Sequence, residues 1–232
     1  MQIRLTRISN KESIGELLAE RTKAVKVYAS LLLILLNLAA LSPPSWAQMK
    51  VRLNWSATAG TQSGFWIAQE EGIFRKNGLD VELLHIPSSS RAIQTMLAGE
   101  IAISYGDGPE YAAITLGSTR SYIRTNEEIA RRVIRSYAEA VHLLKTDKTV
   151  GMRVIRKYTR VNDREILAGT YGESRDYLES VPYVSRKGLE MILAELGEKD
   201  LKARQAKPED FLDMRFVAEL EREGFFKKLR EK

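Results

Sequence analysis

Between Lys50 and Ser104 the chain alternates strand-like and helix-like runs, and beyond Asn126 it offers helices only. That order limits the fold more than any other feature, because strands separated by helices pair in parallel through right-handed crossovers. Lys50 to Trp55 (KVRLNW) alternates polar and apolar residues and predicts a strand, and Ser56 to Ser63 reads as a polar loop. Gly64 to Lys76 carries Phe65, Ile67, Ala68 and Phe74 at helical spacing, and Asn77-Gly78 ends that helix. Leu79 to Ile86 predicts a second strand, with Val81, Leu83 and His85 on one face. Ser88-Ser89-Ser90 caps a helix to Leu97, Ile101 to Ser104 is a third strand, and Tyr105 to Gly108 is a loop. Pro109 suits the first turn of a helix running through Leu116.

The second half predicts amphipathic helices over Asn126 to Lys145, Val150 to Tyr158, Asp163 to Leu178, Ser185 to Leu196 and Phe216 to Arg222. Arg175 to Tyr183 and Lys199 to Lys207 read as connections. At the other end, Val27 to Leu41 holds fifteen residues without a charge, behind Arg21, Lys23 and Lys26. Fifteen is short of the ~20 residues of a membrane span. It matches the apolar core of a signal peptide, with Pro43-Pro44 as breaker and Ser45-Trp46-Ala47 as cleavage site. Residues 1–47 are therefore expected to be a signal peptide with a long charged front, and an uncleaved membrane anchor is the alternative.

Residues 1–47 hold six basic and three acidic side chains; removing them from totals of 36 and 30 leaves 30 against 27. A balance of about +3, interspersed along helices, does not make the basic stripe a nucleic-acid binder needs. With no cysteine and only His85 and His142, thiolate or histidine-rich metal centres are excluded. No glycine-rich phosphate loop, GxSxG elbow or HExxH is present, and the acid pairs Glu70-Glu71 and Glu127-Glu128 diverge on their helices. The sequence thus expects no enzyme and no cofactor.

In parallel sheets ligands gather outside the carboxyl ends of the strands, facing helix N-termini. Three polar stretches fall there: Trp55 to Ser63, Pro87 to Ser90, and Tyr105 to Asp107. Simpler roles compete at each place. The serines suit a helix cap, Trp55 a core or rim position, Asp107-Gly108 a turn, and both histidines structural positions.

The run WSATAGTQSGFWIAQEEGIFRKNGLDVELLHIPSSSRAIQTMLAGEIAISYGD resembles the first lobe of the periplasmic substrate-binding proteins of ABC importers, in the sulfonate/nitrate/taurine and thiamine-precursor group. The matching phrases are Gly72-Ile73-Phe74, Gly78-Leu79-Asp80-Val81 and Met96-Leu97-Ala98-Gly99-Glu100. TRSYIRTNEEIARRVIRSYAEAVHLLKTD is similar to the long helix that follows the second lobe, and AKPEDFLDMRFVAELEREGFF to the closing segment. The resemblance implies an α/β fold: a periplasmic-binding-protein type II-like first lobe, a parallel-type sheet with flanking helices, over 48–118, then an all-helical segment over 119–232. It also implies an exported, periplasmic receptor for a small organic or anionic solute, partnered by a permease and its ATPase. The half-site it implies consists of Trp55, Ser56, Gln62, Ser63, Ser88, Ser89, Tyr105 and Asp107.

The departure lies after Leu116-Gly117-Ser118, where Thr119-Arg120-Ser121-Tyr122 already reads as the return from a second lobe. On the order of 100 residues, a domain's worth, are missing relative to the family. The expectation is a degenerate or internally deleted receptor, or a reduced single-lobe form, whose later helices are short of sheet surface. An interaction or sensory module, exported or membrane-anchored, is the alternative. Relatives that make the thiamine pyrimidine depend on a cysteine-rich motif, which this chain lacks.

Overall fold

The computed structural model describes Arg21, Lys26, residues 48–106 and residues 115–231. The chain divides into two compact units, 1–46 and 47–232. The apolar segment 27–41, the cleavage site at Ala47, Asp107 and the helix start at Pro109 lie outside the described residues.

In the second unit, β1 (Met49–Trp55), β2 (Leu79–His85), β3 (Ile103–Gly106) and β4 (Thr115–Gly117) form one sheet in the order β2-β1-β3-β4. β1 pairs in parallel with both β2 and β3, as the alternation of strands and helices requires, whereas β4 runs antiparallel to β3. The fold is thus α/β with a mixed sheet, followed by helices. Two sequence expectations change here. Residues 115–117 are a strand and not the end of a helix, and Tyr105-Gly106 extend β3 and do not open a loop. In both cases sheet pairing decides, since Tyr105 faces Leu116 and Gly106 faces Thr115 in register.

The helix expected over 64–76 is two: α1 (Ser63–Glu70) and α2 (Ile73–Lys76). Gly72 breaks it with φ of 66°, a left-handed conformation that turns the chain toward β2. In α1 Ser63 to Ala68 are all buried, the pattern of a helix enclosed on every side. It lies between the sheet face bearing Val51, Leu53 and Trp55 and the later helices. The α3 helix (Ser89–Leu97) makes the second crossover. Because that crossover reverses direction across the sheet, right-handedness sets α3 on the opposite face. There Arg52 and Glu82 form an exposed ion pair at 2.8 Å.

The later helices are α4 (Arg120–Thr125), α5 (Glu127–Thr146), α6 (Lys148–Thr159), α7 (Arg164–Tyr177), α8 (Arg186–Gly197), α9 (Leu201–Gln205), α10 (Arg215–Arg222) and α11 (Phe225–Arg230). Asp147, Asp163 and Ser185 cap α6, α7 and α8 with side-chain oxygens that accept backbone N–H groups. Asn126, the N-cap residue of α5, makes no side-chain cap bond and donates from Nδ2 to the Tyr122 carbonyl. α9 falls in a stretch expected to be a connection, and begins at an Asp200 cap.

These helices do not lack a surface to bury against. The α5 helix packs on α1, α2 and β2, and its residues Val133, Tyr137, Ala140, Val141 and Leu144 join the sheet in one hydrophobic cluster. Segments 48–118 and 119–232 therefore share a core. Ala138 of α5 enters a second cluster with Val217, Leu220, Phe225 and Phe226.

Gly64 permits the closest approach of α1 and α5. A Cβ there would stand 2.5 Å from Tyr137 Cε2. Gly64→Ala is expected to destabilise the chain by about 1–3 kcal/mol through overpacking. Gly169→Ala, at an exposed helical position with open space around it, should be neutral or stabilise by about 0.5–1 kcal/mol. Urea unfolding of the two variants beside the parent measures both.

Candidate functional site

The sheet order reverses between β1 and β3, and the carboxyl ends of those strands are where an open α/β sheet gathers a ligand. His85, Trp55 and Tyr105 stand side by side at that edge, one per strand, in register. Trp55 is 8% exposed, stacks on His85 at 3.8 Å and meets Trp66 edge-on at 5.1 Å. Trp66 in turn stacks on Tyr158 of α6 at 4.7 Å. The aromatic row is covered by side chains of α1 and α6.

Tyr105 is fully buried and donates its hydroxyl proton to the Thr61 carbonyl at 2.7 Å. The same hydroxyl lies 3.4 Å from Tyr137 Oη, a longer contact than the one to Thr61. Burial pushes the Tyr137 hydroxyl up to about 12, with the Tyr105 contact working the other way. The Tyr105–Thr61 bond ties the end of β3 to the loop between β1 and α1. In that loop, a side chain on Gly60 would collide with Ser174 Oγ and Thr170 of α7.

Of the residues expected at the site, Trp55, Gln62, Ser63 and Tyr105 are buried. Ser56 is half-buried beside Gly106, where an added Cβ would stand 3.2 Å from its Oγ. Ser88 is the α3 cap, its Oγ accepting the Arg91 N–H at 3.3 Å, and Ser89 is the exposed first residue of that helix. Those two serines lie at the β2 end of the edge. Asp107 lies outside the described residues.

Unpaired polar atoms were not foreseen. Asn54 is fully buried, flanked in register by Leu84 and Ser104, and neither its Oδ1 nor its Nδ2 has a partner among the described residues. Ser63 Oγ and Trp66 Nε1 are likewise buried without one. Each unsatisfied group costs about 1–3 kcal/mol. The carboxyl end of β1 and the start of α1 thus hold buried donors, Trp66 Nε1 and Asn54 Nδ2, and buried acceptors, Asn54 Oδ1 and Ser63 Oγ. Asn54 could have been found from sequence only as a polar residue inside an apolar strand.

Beside this edge, Glu70 accepts from Tyr158 Oη at 2.9 Å and from Lys157 Nζ at 2.5 Å. Burial opposes its charge, but the bonds from Lys157 and Tyr158 and the cations Lys157 and Arg153 outweigh it, so its carboxyl titrates below the ordinary range. Burial, with the bond to Glu70 and its charge, raises the Tyr158 hydroxyl above its ordinary value. No cluster of three or more metal-ligating side chains occurs among the described residues.

No protein-family model matches the chain. No curated protein matches it either. Among solved structures, the chain is similar to a protein from Bordetella bronchiseptica RB50, with a TM-score of 0.62 and 11% identity over 76% of this chain and 98% of that one. At that identity the likeness concerns the fold alone.

Because the Glu70 carboxyl is depressed in the folded state, its stabilising effect is present above the unfolded value of 4.5 and is lost as pH falls through the lower folded value. Glu70→Gln should therefore destabilise by about 1 kcal/mol at pH 7 and converge with the parent at acid pH. Denaturant midpoints of both chains from pH 7 downward test the sign.

Proposed function

We propose that this chain is the solute-binding component of an ABC-type importer, a reduced receptor that captures a small organic or anionic solute outside the inner membrane. It delivers that solute to a permease driven by an ATPase and performs no chemistry on it. In this reading the sheet is a periplasmic-binding-protein type II-like first lobe, and residues 1–47 direct export.

One observation carries the reading. The reversal in strand order between β1 and β3 coincides with buried, unpartnered polar atoms on Asn54, Ser63 and Trp66. Groups left unsatisfied in a folded interior call for an account, and a bound polar solute supplies one. The α1 N-terminus adds N–H dipoles that favour an anionic head group. The backbone N–H groups near Gly64 belong to that first turn, and those near Ser90 to the start of α3.

A second reading, an interaction or sensory module, draws on Met191, Leu196 and Leu201, which stand 43%, 54% and 68% exposed on α8 and α9. Apolar side chains gathered on a surface favour protein contact.

Thermal unfolding of the full chain with taurine, methanesulfonate, nitrate and an aminopyrimidine separates the two. A ligand that binds only the folded chain raises its stability by about 2.7 kcal/mol at a hundred times its Kd. One ligand class is expected to raise the melting temperature by several degrees. Asn54→Leu should abolish that shift while leaving the unliganded chain equally or more stable, since an apolar replacement relieves the unsatisfied amide. If no solute shifts the transition and the chain instead captures a protein partner through α8 and α9, the importer reading fails.

A further inference from the structure

A cavity lies at the β4 side of the sheet, next to α5. It encloses about 180 Å³ between β3, β4, α5 and the segment 211–217. Ile103 and Leu116 of the sheet, Ala130 and Ile134 of α5, and Phe216 and Val217 of α10 supply most of an apolar wall. The cavity sits at the seam between the two hydrophobic clusters: Ile103 and Leu116 belong with the first, Ile134 and Val217 with the second. The closing segment therefore packs on α5 without filling the space between α5 and the sheet edge. A space of this size is large enough for a benzene-sized guest, with Ser118, Tyr137 and Asp213 adding polar atoms to its wall.

The cavity continues into an open groove of about 1160 Å³, the two sharing Ser118, Ile123, Phe211, Leu212, Asp213 and Met214. The groove carries Arg120, Arg124 and Arg215 against Glu127, Glu209, Asp210 and Asp213. Most of these charges are already committed. Arg215 binds both Asp213 and Glu127, and Glu209 is held by Arg186. The Asp210 carboxylate accepts the Lys207 backbone N–H. Arg120 donates only to the Asp210 backbone carbonyl, and Arg124 has no hydrogen bond or ion pair among the described residues. Two guanidiniums without a carboxylate partner among the described residues thus border the groove into which a largely apolar chamber opens.

The geometry points to a binding site for a small amphipathic monoacid, an aromatic or short-alkyl carboxylate or sulfonate. Its apolar body occupies the chamber and its acid group faces Arg120 and Arg124. Tyr137, which also touches Tyr105, lies on its wall, but Trp55, His85 and Tyr105 of the β1–β3 edge do not line it, and the site does not depend on the importer reading. An apolar guest completes the contacts that the seam lacks. A guanidinium pairs a carboxylate or sulfonate with its fork of N–H donors.

Titration of the full chain with benzoate, hexanesulfonate and uncharged toluene, read by calorimetry and melting temperature, tests the assignment. All three are expected to bind and to raise the melting temperature. Arg124→Gln, a change at an exposed position, should weaken benzoate and hexanesulfonate about three- to tenfold, leave toluene unchanged, and flatten the salt dependence of the two acids. Ala130→Leu, which extends a side chain into the chamber, should abolish all three; Ile134→Phe serves the same end should Ala130→Leu not fold. Asn54→Leu should leave them as they are. The assignment is overturned if no probe binds, if Arg124→Gln lowers toluene and acids alike or neither, or if Asn54→Leu removes benzoate binding while a folded chamber-filling variant retains it.

Discussion

The structure rests on α5, a helix that buries apolar side chains on two sides. Toward the sheet, Val133, Tyr137, Val141 and Leu144 close over α1, and toward the C-terminus Ile134 and Ala138 receive α10 and α11. Packing of the amphipathic faces of α5 against the rest of the chain supplies most of its stability. Ion pairs at its rim, Arg131 with Glu219 at 2.6 Å and Lys76 with Glu139 at 2.7 Å, fix which elements dock where. They are partly exposed and set geometry more than stability. Without α5, the buried helix α1 would lose the cover that Tyr137 gives Phe65.

That arrangement shapes the candidate site. Because α1 and α6 cover the aromatic row at the sheet edge, Trp55 is held between His85 and Trp66, and Tyr105 is tied to Thr61 and Tyr137. The edge is thereby held by ring packing and by the hydrogen bond from Tyr105 to Thr61. Its remaining hydrogen-bonding capacity resides in Asn54, Ser63 and Trp66, all enclosed. The α5 helix also leaves the seam at the β4 side of the sheet, where the sheet ends at a strand of three residues and the closing segment spans the gap. Both features follow from one helix serving two hydrophobic clusters that do not merge.

Much of the fold was legible in the sequence. Alternation in KVRLNW, the Asn77-Gly78 stop and the apolar spacing of Ile129 to Leu144 each reflect local physics, a strand period of two or a helix period near 3.6, and each element forms where that pattern stands. Asp147, Asp163 and Ser185 cap helices because an N-cap bond spans only two or three residues. Gly72 is the local exception, since a left-handed turn there splits a pattern that reads as one continuous helix.

The site was legible only in part. The sequence could place Trp55, Ser56, Ser63, Ser88, Ser89 and Tyr105 near the ends of strands or the starts of helices, because that position depends on topology alone. It could not say that Trp55 would stack on His85, that Tyr105 would reach across 44 residues to Thr61, or that Asn54 would be enclosed without a partner. Nor could it show that 115–117 would pair with β3, since a three-residue strand has no period of its own and is made by the edge it joins. Local periodicity and capping determined the elements. Long-range packing of α5 decided which of their side chains became core, which stayed unsatisfied at the sheet edge, and where an empty seam was left, because burial depends on what the rest of the chain brings near.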